Sequence, residues 1–395
     1  MKQASMTTST TSRKQGDEPA EALDVTNCGL FTPIRTPESG VTIHVLTSRV
    51  APVQKGFYFV NESMTADGRY LWFCCGYPPS QHKVLAVLDF EQQQVRVFPE
   101  TQFVHESPFV DVDTAEVFWT SVGFGRGEIW RRGPNEQDEA VVVNALPGDL
   151  LGKRSVDRMS THLTRSSDKR AFFIDARLAS GLMHLYGALP IDGSPFDLWH
   201  RLDRNYNHAQ FSPTDPDEVL LAEENHPDPI TGLNIPITNR LWLMRRSEPP
   251  RPILRAPCAV THEWWDADGQ HVWCVRGSET WRVRVRDGEV EVLPFPHHCW
   301  HSHSSRDGRL LVGDSHPGDF YRGCPSSVHF FNRDSGKRLT LVTNPACQDF
   351  AGRHYHIDPH PRFCCGDRYV VFTTTILGRV DVALVPTMHL QELTA

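Results

Sequence analysis

Residues 264–275 read W-W-D-A-D-G-Q-H-V-W-C-V, a turn centred on Asp268 followed by a short apolar strand. Asp-Gly flanked by alternating apolar residues is a strong short-range hairpin signal. The unit returns as SMTADGRYLWFCC (63–75), VDVDTAEVFWTS (110–121), LTRSSDKRAFFID (163–175), FSPTDPDEVLLAEE (211–224), SSRDGRLLVGD (304–314) and FCCGDRYVVFTT (363–374). Its turn aspartates, Asp67, Asp113, Asp168, Asp215, Asp268, Asp307 and Asp367, lie 46, 55, 47, 53, 39 and 60 residues apart. Hairpins of a β-sandwich recur every ~8–12 residues. A much longer period with several strands per unit belongs to a propeller, whose four-stranded blades bury their faces by stacking around a channel. The expected fold is therefore all-β, a seven-bladed β-propeller. The strand near Thr42–Ser48 is expected to pair beside Asp381–Val385 and close the ring, hiding its edges.

Working outward, residues 1–27 are Ser/Thr-rich and charged with no apolar core, so a disordered tail is expected there rather than a secretory signal. Residues 28–395 are expected to form one domain, since no linker interrupts them. Ten tryptophans and 29 prolines suit a strand- and loop-rich chain. The net charge is −8, with no basic stripe interleaved with aromatics, which argues against nucleic acid as a partner. No apolar run reaches the ~18 residues of a membrane-spanning helix. The ten cysteines show no C-x-x-C spacing, and the adjacent pairs Cys74-Cys75 and Cys364-Cys365 fall in expected strands where neighbours face opposite ways. Reduced thiols in a cytoplasmic protein are expected.

The chemistry concentrates in the second half. The stretch G-R-H-Y-H-I-D-P-H-P (352–361) sets His354, His356, Asp358 and His360 at alternate positions, held by Pro359 and Pro361. An extended segment sends such side chains to one face, and imidazoles converging with a carboxylate suit a divalent cation. One repeat earlier, H-H-C-W-H-S-H (297–303) carries four of the 20 histidines. Of His301 and His303, one is expected to face the channel and the other the solvent. Trp242, Trp264, Trp265 and Trp300 are read as blade core rather than sugar platforms. Arg240 could be an ion-pair partner for Glu223 or Glu224, and His262 a hydrogen-bonded spacer. No nucleophile elbow, phosphate-binding loop or dinucleotide fingerprint is present.

At these residues the chain resembles the oligogalacturonate lyases. Glu223-Glu224-Asn225-His226 followed by Arg240-Leu241-Trp242, T-H-E-W-W-D-A-D-G (261–269), His301 with Asp307-Gly308 and V-G-D (312–314), and Y-H-I-D-P-H-P-R-F (355–363) are similar to that family's motifs. The resemblance implies a seven-bladed propeller that cleaves short uronate oligosaccharides, such as pectin-derived ones, by β-elimination to 4,5-unsaturated products. It implies a divalent metal, Mn²⁺ first, with Ca²⁺ or Mg²⁺ as alternatives. The implied ligands are His301, Tyr355, Asp358 and His360. Asp358 stands where the family has a histidine and Tyr355 where it has a glutamine, with His354 or His356 able to take the glutamine's place. Arg240 is the implied base and His262 assists at the carboxylate. Because guanidinium resists deprotonation, His262 is the rival base. His208, Glu224, His303 and His356 are expected along the sugar. The implied partner is an acidic oligosaccharide, with no membrane contact and a monomer or dimer as the working form. Two alternatives stand beside this: a lyase for another uronate-linked sugar, and a propeller that only binds.

Overall fold

The computed structural model describes residues 24–395 apart from 105–106, 180–182, 229, 238, 296–298, 316–324, 347–354 and 356. Every one of the seven Asp-centred turns connects the first and second strands of a blade. Blade 1 comprises Val53–Lys55, Tyr70–Gly76, Lys83–Asp89 and Gln94–Phe103; blade 2, Phe109–Val110, Val117–Ser121, Glu128–Arg132 and Val141–Ala145. Blade 3 is Val156–Arg158, Ala171–Leu178, His184–Pro190 and Asp197–Leu202. Blade 4 is Tyr206–Phe211, Glu218–Glu223, Leu241–Arg245 and Glu248–Pro252, with a small hairpin (His226–Pro227 and Asn234–Ile235) inserted after its second strand. Blade 5 is Thr261–Trp265, His271–Arg276, Glu279–Arg284 and Val290–Leu293; blade 6, Cys299–Ser304, Leu310–Ser315, Ser326–Asn332 and Arg338–Asn344. Within each blade successive strands pair antiparallel.

Blade 7 takes Arg362–Cys364, Tyr369–Thr374 and Asp381–Pro386 from the end of the chain and Thr42–Leu46 from its beginning, with Phe31–Arg35 outermost. His44 pairs with Leu384 and Val45 with Ala383, so the ring closes as the sequence leads one to expect. Residues 24–27, assigned to the expected tail, are instead ordered. Val25–Asn27 forms a turn in which Val25 is fully buried and its N–H donates to the Tyr369 hydroxyl. Residues 1–23 lie outside the described part.

The turns hold themselves. Asp67, Asp168, Asp215, Asp268 and Asp307 each accept a hydrogen bond from the backbone N–H two residues on, the Asx-turn that lets the chain reverse in few residues. Thr65, Ser166 and Ser305 donate to the same carboxylates from two residues before.

The core lies between blades. Leu71, Phe73 and Cys75 of blade 1 pack on Tyr369, Val371 and Leu384 of blade 7, while Trp72 and Cys74 on the opposite face pack on Val117 and Trp119 of blade 2. Adjacent cysteines of one strand thus serve two interfaces, as strand alternation requires. Cys364 and Cys365 do not repeat this: Cys365 lies just past its strand with φ +57° and joins the same cluster as Cys364. Among the described residues Cys28, Cys74, Cys75, Cys258, Cys274, Cys364 and Cys365 are free thiols. No helix is long and apolar enough to cross a membrane among the described residues.

Candidate metal and substrate site

In five consecutive blades the innermost strand or its approach carries a histidine at one place. His162, His262 and His301 stand six residues before Asp168, Asp268 and Asp307, and His208 and His360 seven before Asp215 and Asp367. Innermost strands of a propeller run side by side around the channel, so these positions form a ring. Ring centroids lie 4.6 Å apart for His162 and His208, 4.2 Å for His262 and His301, and 4.3 Å for His301 and His360. Tyr58, on the chain leaving the first strand of blade 1, joins the two ends, 4.3 Å from His162 and 4.7 Å from His360.

Three of the histidines have left-handed backbones: φ is +52° at His208, +50° at His262 and +46° at His360. At His208 and His262 the strand register shifts, between Asn207 and Gln210 and between Thr261 and Trp264. A bulge re-aims a side chain, and such a conformation in a residue other than glycine costs of order 1–3 kcal/mol. Three such distortions at equivalent places mark the ring as the part of the channel where geometry outranks local stability.

His301, Asp358 and His360, all buried, bring one ligand atom each to within 4.8 Å of one another. Asp314 organises them. It pairs with His301 across the hairpin, and its carboxylate lies 3.0 Å from His301 Nδ1 and accepts the His301 backbone N–H at 2.8 Å. It also accepts the backbone N–H of His360 at 3.0 Å. A carboxylate can only accept, so His301 carries its proton on Nδ1 and presents the lone pair of Nε2. A ligating histidine backed in this way by a carboxylate is a recurrent feature of metal sites. Two imidazoles and a carboxylate form a donor set that fits a divalent first-row cation.

Tyr355 is not placed as a member of this set. Its ring packs with Val53, Ile357 and Val380, and its hydroxyl donates to the Ser80 carbonyl. A Cβ on Gly76 would lie 2.8 Å from that ring, so the phenol is fitted against the second strand of blade 1. The resemblance put Tyr355 at the place of a glutamine ligand, whereas here the phenol packs against blade 1. His354 and His356 lie outside the described residues, as do His297 and His298.

The second part of the ring is an ion-pair network. Arg240 Nε donates to Glu263 at 3.0 Å, and its Nη1 donates to Glu224. His208 Nδ1 lies 3.1 Å from Glu263 and 3.4 Å from Arg240 Nη2. Burial alone would lower the Arg240 pKa, but Glu263 and Glu224 outweigh it and drive it above its ordinary value. Burial would raise Glu263, yet Arg240 and His208 hold it at about 2. Glu223, the other partner considered for Arg240, pairs instead with Arg204. His262 stands between this network and the cluster, buried beside His301.

His303 departs from expectation. Both His301 and His303 are buried, but His303 lies apart from the ring, bonded to Arg362 at 3.1 Å and stacked over Trp264. It lines a cavity of about 290 Å³ with Glu62, Gln210 and Arg362, on the side of the turns rather than of the histidine ring. Burial and then Arg362 push its pKa well below the ordinary range. Fully buried Phe59, next to Tyr58, fills the channel between them, 5.4 Å from His301 and 5.9 Å from Trp264. Trp264 is core as expected, whereas Trp300 is 40 % exposed with its ring 4.9 Å from His262.

Solved structures share this architecture. An oligogalacturonate lyase from Vibrio parahaemolyticus superposes with a TM-score of 0.71 over 90 % of this chain and 96 % of its own, at 18 % identity. The fold is that of an oligogalacturonate lyase. A second such lyase, solved in complex with manganese, gives a TM-score of 0.70 over 91 % of this chain and 97 % of its own, at 19 % identity. No family model matches the chain. Comparison with characterised protein sequences finds no match either.

Sequence reasoning missed Tyr58, His162 and the roles of Asp314 and Glu263. The spacing of a histidine six or seven residues before five of the seven turn aspartates was the available signal for His162. Tyr58 has no such signal, since blade 1 replaces the histidine with a longer approach.

Proposed function

We propose that the protein is a metal-assisted lyase that cleaves short uronate oligosaccharides by β-elimination, releasing 4,5-unsaturated products. The observation that carries this reading is the convergence of His301, Asp358 and His360 beside a buried Arg240–Glu263 network, with His262 between them. Likeness of fold to oligogalacturonate lyases, one of them solved with manganese, supports it.

In this reaction the proton on C5, next to the carboxylate, is removed, the C4–O bond breaks, and the departing oxygen gains a proton. A divalent cation held by His301, Asp358 and His360, Mn²⁺ in our reading, supplies Lewis-acid stabilisation of the charge that builds on the carboxylate. Arg240 binds rather than reacts: Glu263 and Glu224 hold it cationic, the opposite of what an arginine base needs. It serves as a fixed positive partner for the sugar acid. His262 is then the base, an imidazole being able to take the C5 proton near neutral pH. Tyr58 keeps its hydroxyl proton, because burial and then Glu263 raise its pKa well above the ordinary value. In our reading it returns a proton to the departing oxygen. The exposed face of Trp300 beside His262 offers the sugar ring a stacking surface. Free thiols accord with a reducing cytoplasm.

The test is digalacturonate with Mn²⁺, followed by the ultraviolet absorbance of the new double bond. A rise that requires both the metal and His360 is expected. Flat absorbance with every uronate oligomer, despite measurable binding, would point to a propeller that only binds.

A further inference from the structure

The cavity of about 290 Å³ at the turn end of the channel takes no part in the reaction described above. Its volume lies near the lower bound of about 300 Å³ for ligand pockets, and like them it sets a few polar groups among aromatic walls. Fully buried Phe59 separates it from the histidine ring. Trp265 and Phe363 supply aromatic surface, and the Trp265 indole N–H donates to the Gln210 backbone carbonyl at 2.9 Å.

Three acceptors of its lining have no hydrogen-bond donor among the described residues. Gln210, only 5 % exposed, gives its amide N–H to the Glu263 carbonyl at 2.9 Å, which leaves its Oε1 open. Glu62 accepts the Cys365 N–H through Oε1 at 2.8 Å, while its Oε2 has Arg362 Nη2 no nearer than 4.0 Å, beyond hydrogen-bond reach. Asp367 does not close its own turn as Asp67 and Asp307 do: Oδ2 takes the Arg306 N–H from blade 6 at 2.7 Å, and Oδ1 is open. Arg362 faces them as the donor, its Nη1 held by the Phe59 carbonyl at 2.7 Å and by His303. Acceptors enclosed without a donor cost free energy that a ligand's hydroxyl groups recover. An acid would meet Glu62 and Asp367, and an ammonium would meet Arg362. A neutral polyhydroxy molecule both donates to the carboxylates and accepts from the guanidinium.

We propose that this cavity is a second binding site, for a neutral sugar of one ring, held through its hydroxyls by Gln210, Glu62, Asp367 and Arg362. Such a site is independent of whatever chemistry the histidine ring performs at the other end of the channel.

The experiment titrates D-galactose, D-glucose and D-xylose into the full-length protein by ligand-observed NMR, and repeats the series on Glu62→Gln, Asp367→Asn and Arg240→Gln. Mn²⁺ affinity and circular dichroism are measured alongside. Glu62→Gln keeps an oxygen for the Cys365 N–H, and asparagine tolerates the left-handed backbone of Asp367, φ +66°, so both variants preserve the local fold. Wild type is expected to bind at least one of the three sugars. Glu62→Gln and Asp367→Asn should each weaken that binding by about tenfold, the difference between a charged and a neutral acceptor, with Mn²⁺ affinity unchanged. Arg240→Gln, altered at the histidine ring, should bind the sugar as wild type does. Absence of binding by all three sugars would overturn the proposal, as would equal binding in folded Glu62→Gln and Asp367→Asn. Loss of binding in Arg240→Gln alone would place the sugar at the ring and overturn it too, and displacement of the sugar by equimolar D-galacturonate would overturn the preference for a neutral ligand.

Discussion

Asp314 and His301 face each other across one hairpin, the carboxylate taking both the Nδ1 proton and the backbone N–H of the histidine. The same carboxylate takes the N–H of His360 from the next blade. One side chain therefore orients the ring of His301 and the backbone of His360, two members of the candidate cluster. Asp314→Asn is expected to weaken Mn²⁺ binding by about 10–100-fold, the usual effect of losing such a support. Competition against a metal indicator measures it. Unchanged affinity in a folded variant would mean that His301 is not a ligand.

Arg240 and His262 separate by pH. With His262 as the base, His262→Gln should reduce the elimination rate by at least about 100-fold while leaving uronate binding largely in place. Arg240→Gln should act first on binding, raising KM, and leave the pH of half-maximal rate where it was. If instead Arg240→Gln abolishes turnover with KM unchanged and His262→Gln retains full rate, the roles reverse.

The propeller was legible because its evidence is local. Each Asp-centred turn is written within a dozen residues, and its aspartate closes the turn through its own backbone. Ring closure followed from a leftover strand at each end. The candidate metal cluster was legible in part, since His301, Asp358 and His360 lie in two short segments of neighbouring blades. What stayed hidden depends on direction and distance. A residue matched to a family ligand by position alone carries no information on where its side chain packs, and Tyr355 followed the wall of blade 1 instead.

Tyr355 supplies its own prediction. With the hydroxyl donating to the Ser80 carbonyl, Tyr355→Phe is expected to leave Mn²⁺ affinity unchanged within about twofold and to cost roughly 1 kcal/mol of stability. Gly76→Ala should cost more, about 1–3 kcal/mol, because the added methyl meets the Tyr355 ring at 2.8 Å. Thermal denaturation with and without metal distinguishes the two. A large loss of metal affinity in Tyr355→Phe would restore the phenol to the ligand set.

Glu263 ties the site to acid stability. It is buried, and its pKa falls from 4.5 to about 2 because Arg240 and His208 outweigh burial. A depressed carboxylate stabilises the folded state above its unfolded pKa and stops doing so as pH falls through the folded one. The contribution should thus be complete above about pH 5 and disappear between pH 4.5 and about 2. A shift of this size corresponds to something on the order of 3 kcal/mol. Glu263→Gln keeps the shape and removes the titration. Urea unfolding from pH 6 down to pH 2.5 should show a shallower acid limb for Glu263→Gln than for wild type, together with a lower plateau at neutral pH, where Arg240 has lost its buried partner. Parallel acid limbs would mean that the Arg240–Glu263 pair forms no more tightly in the folded protein than charges do in water.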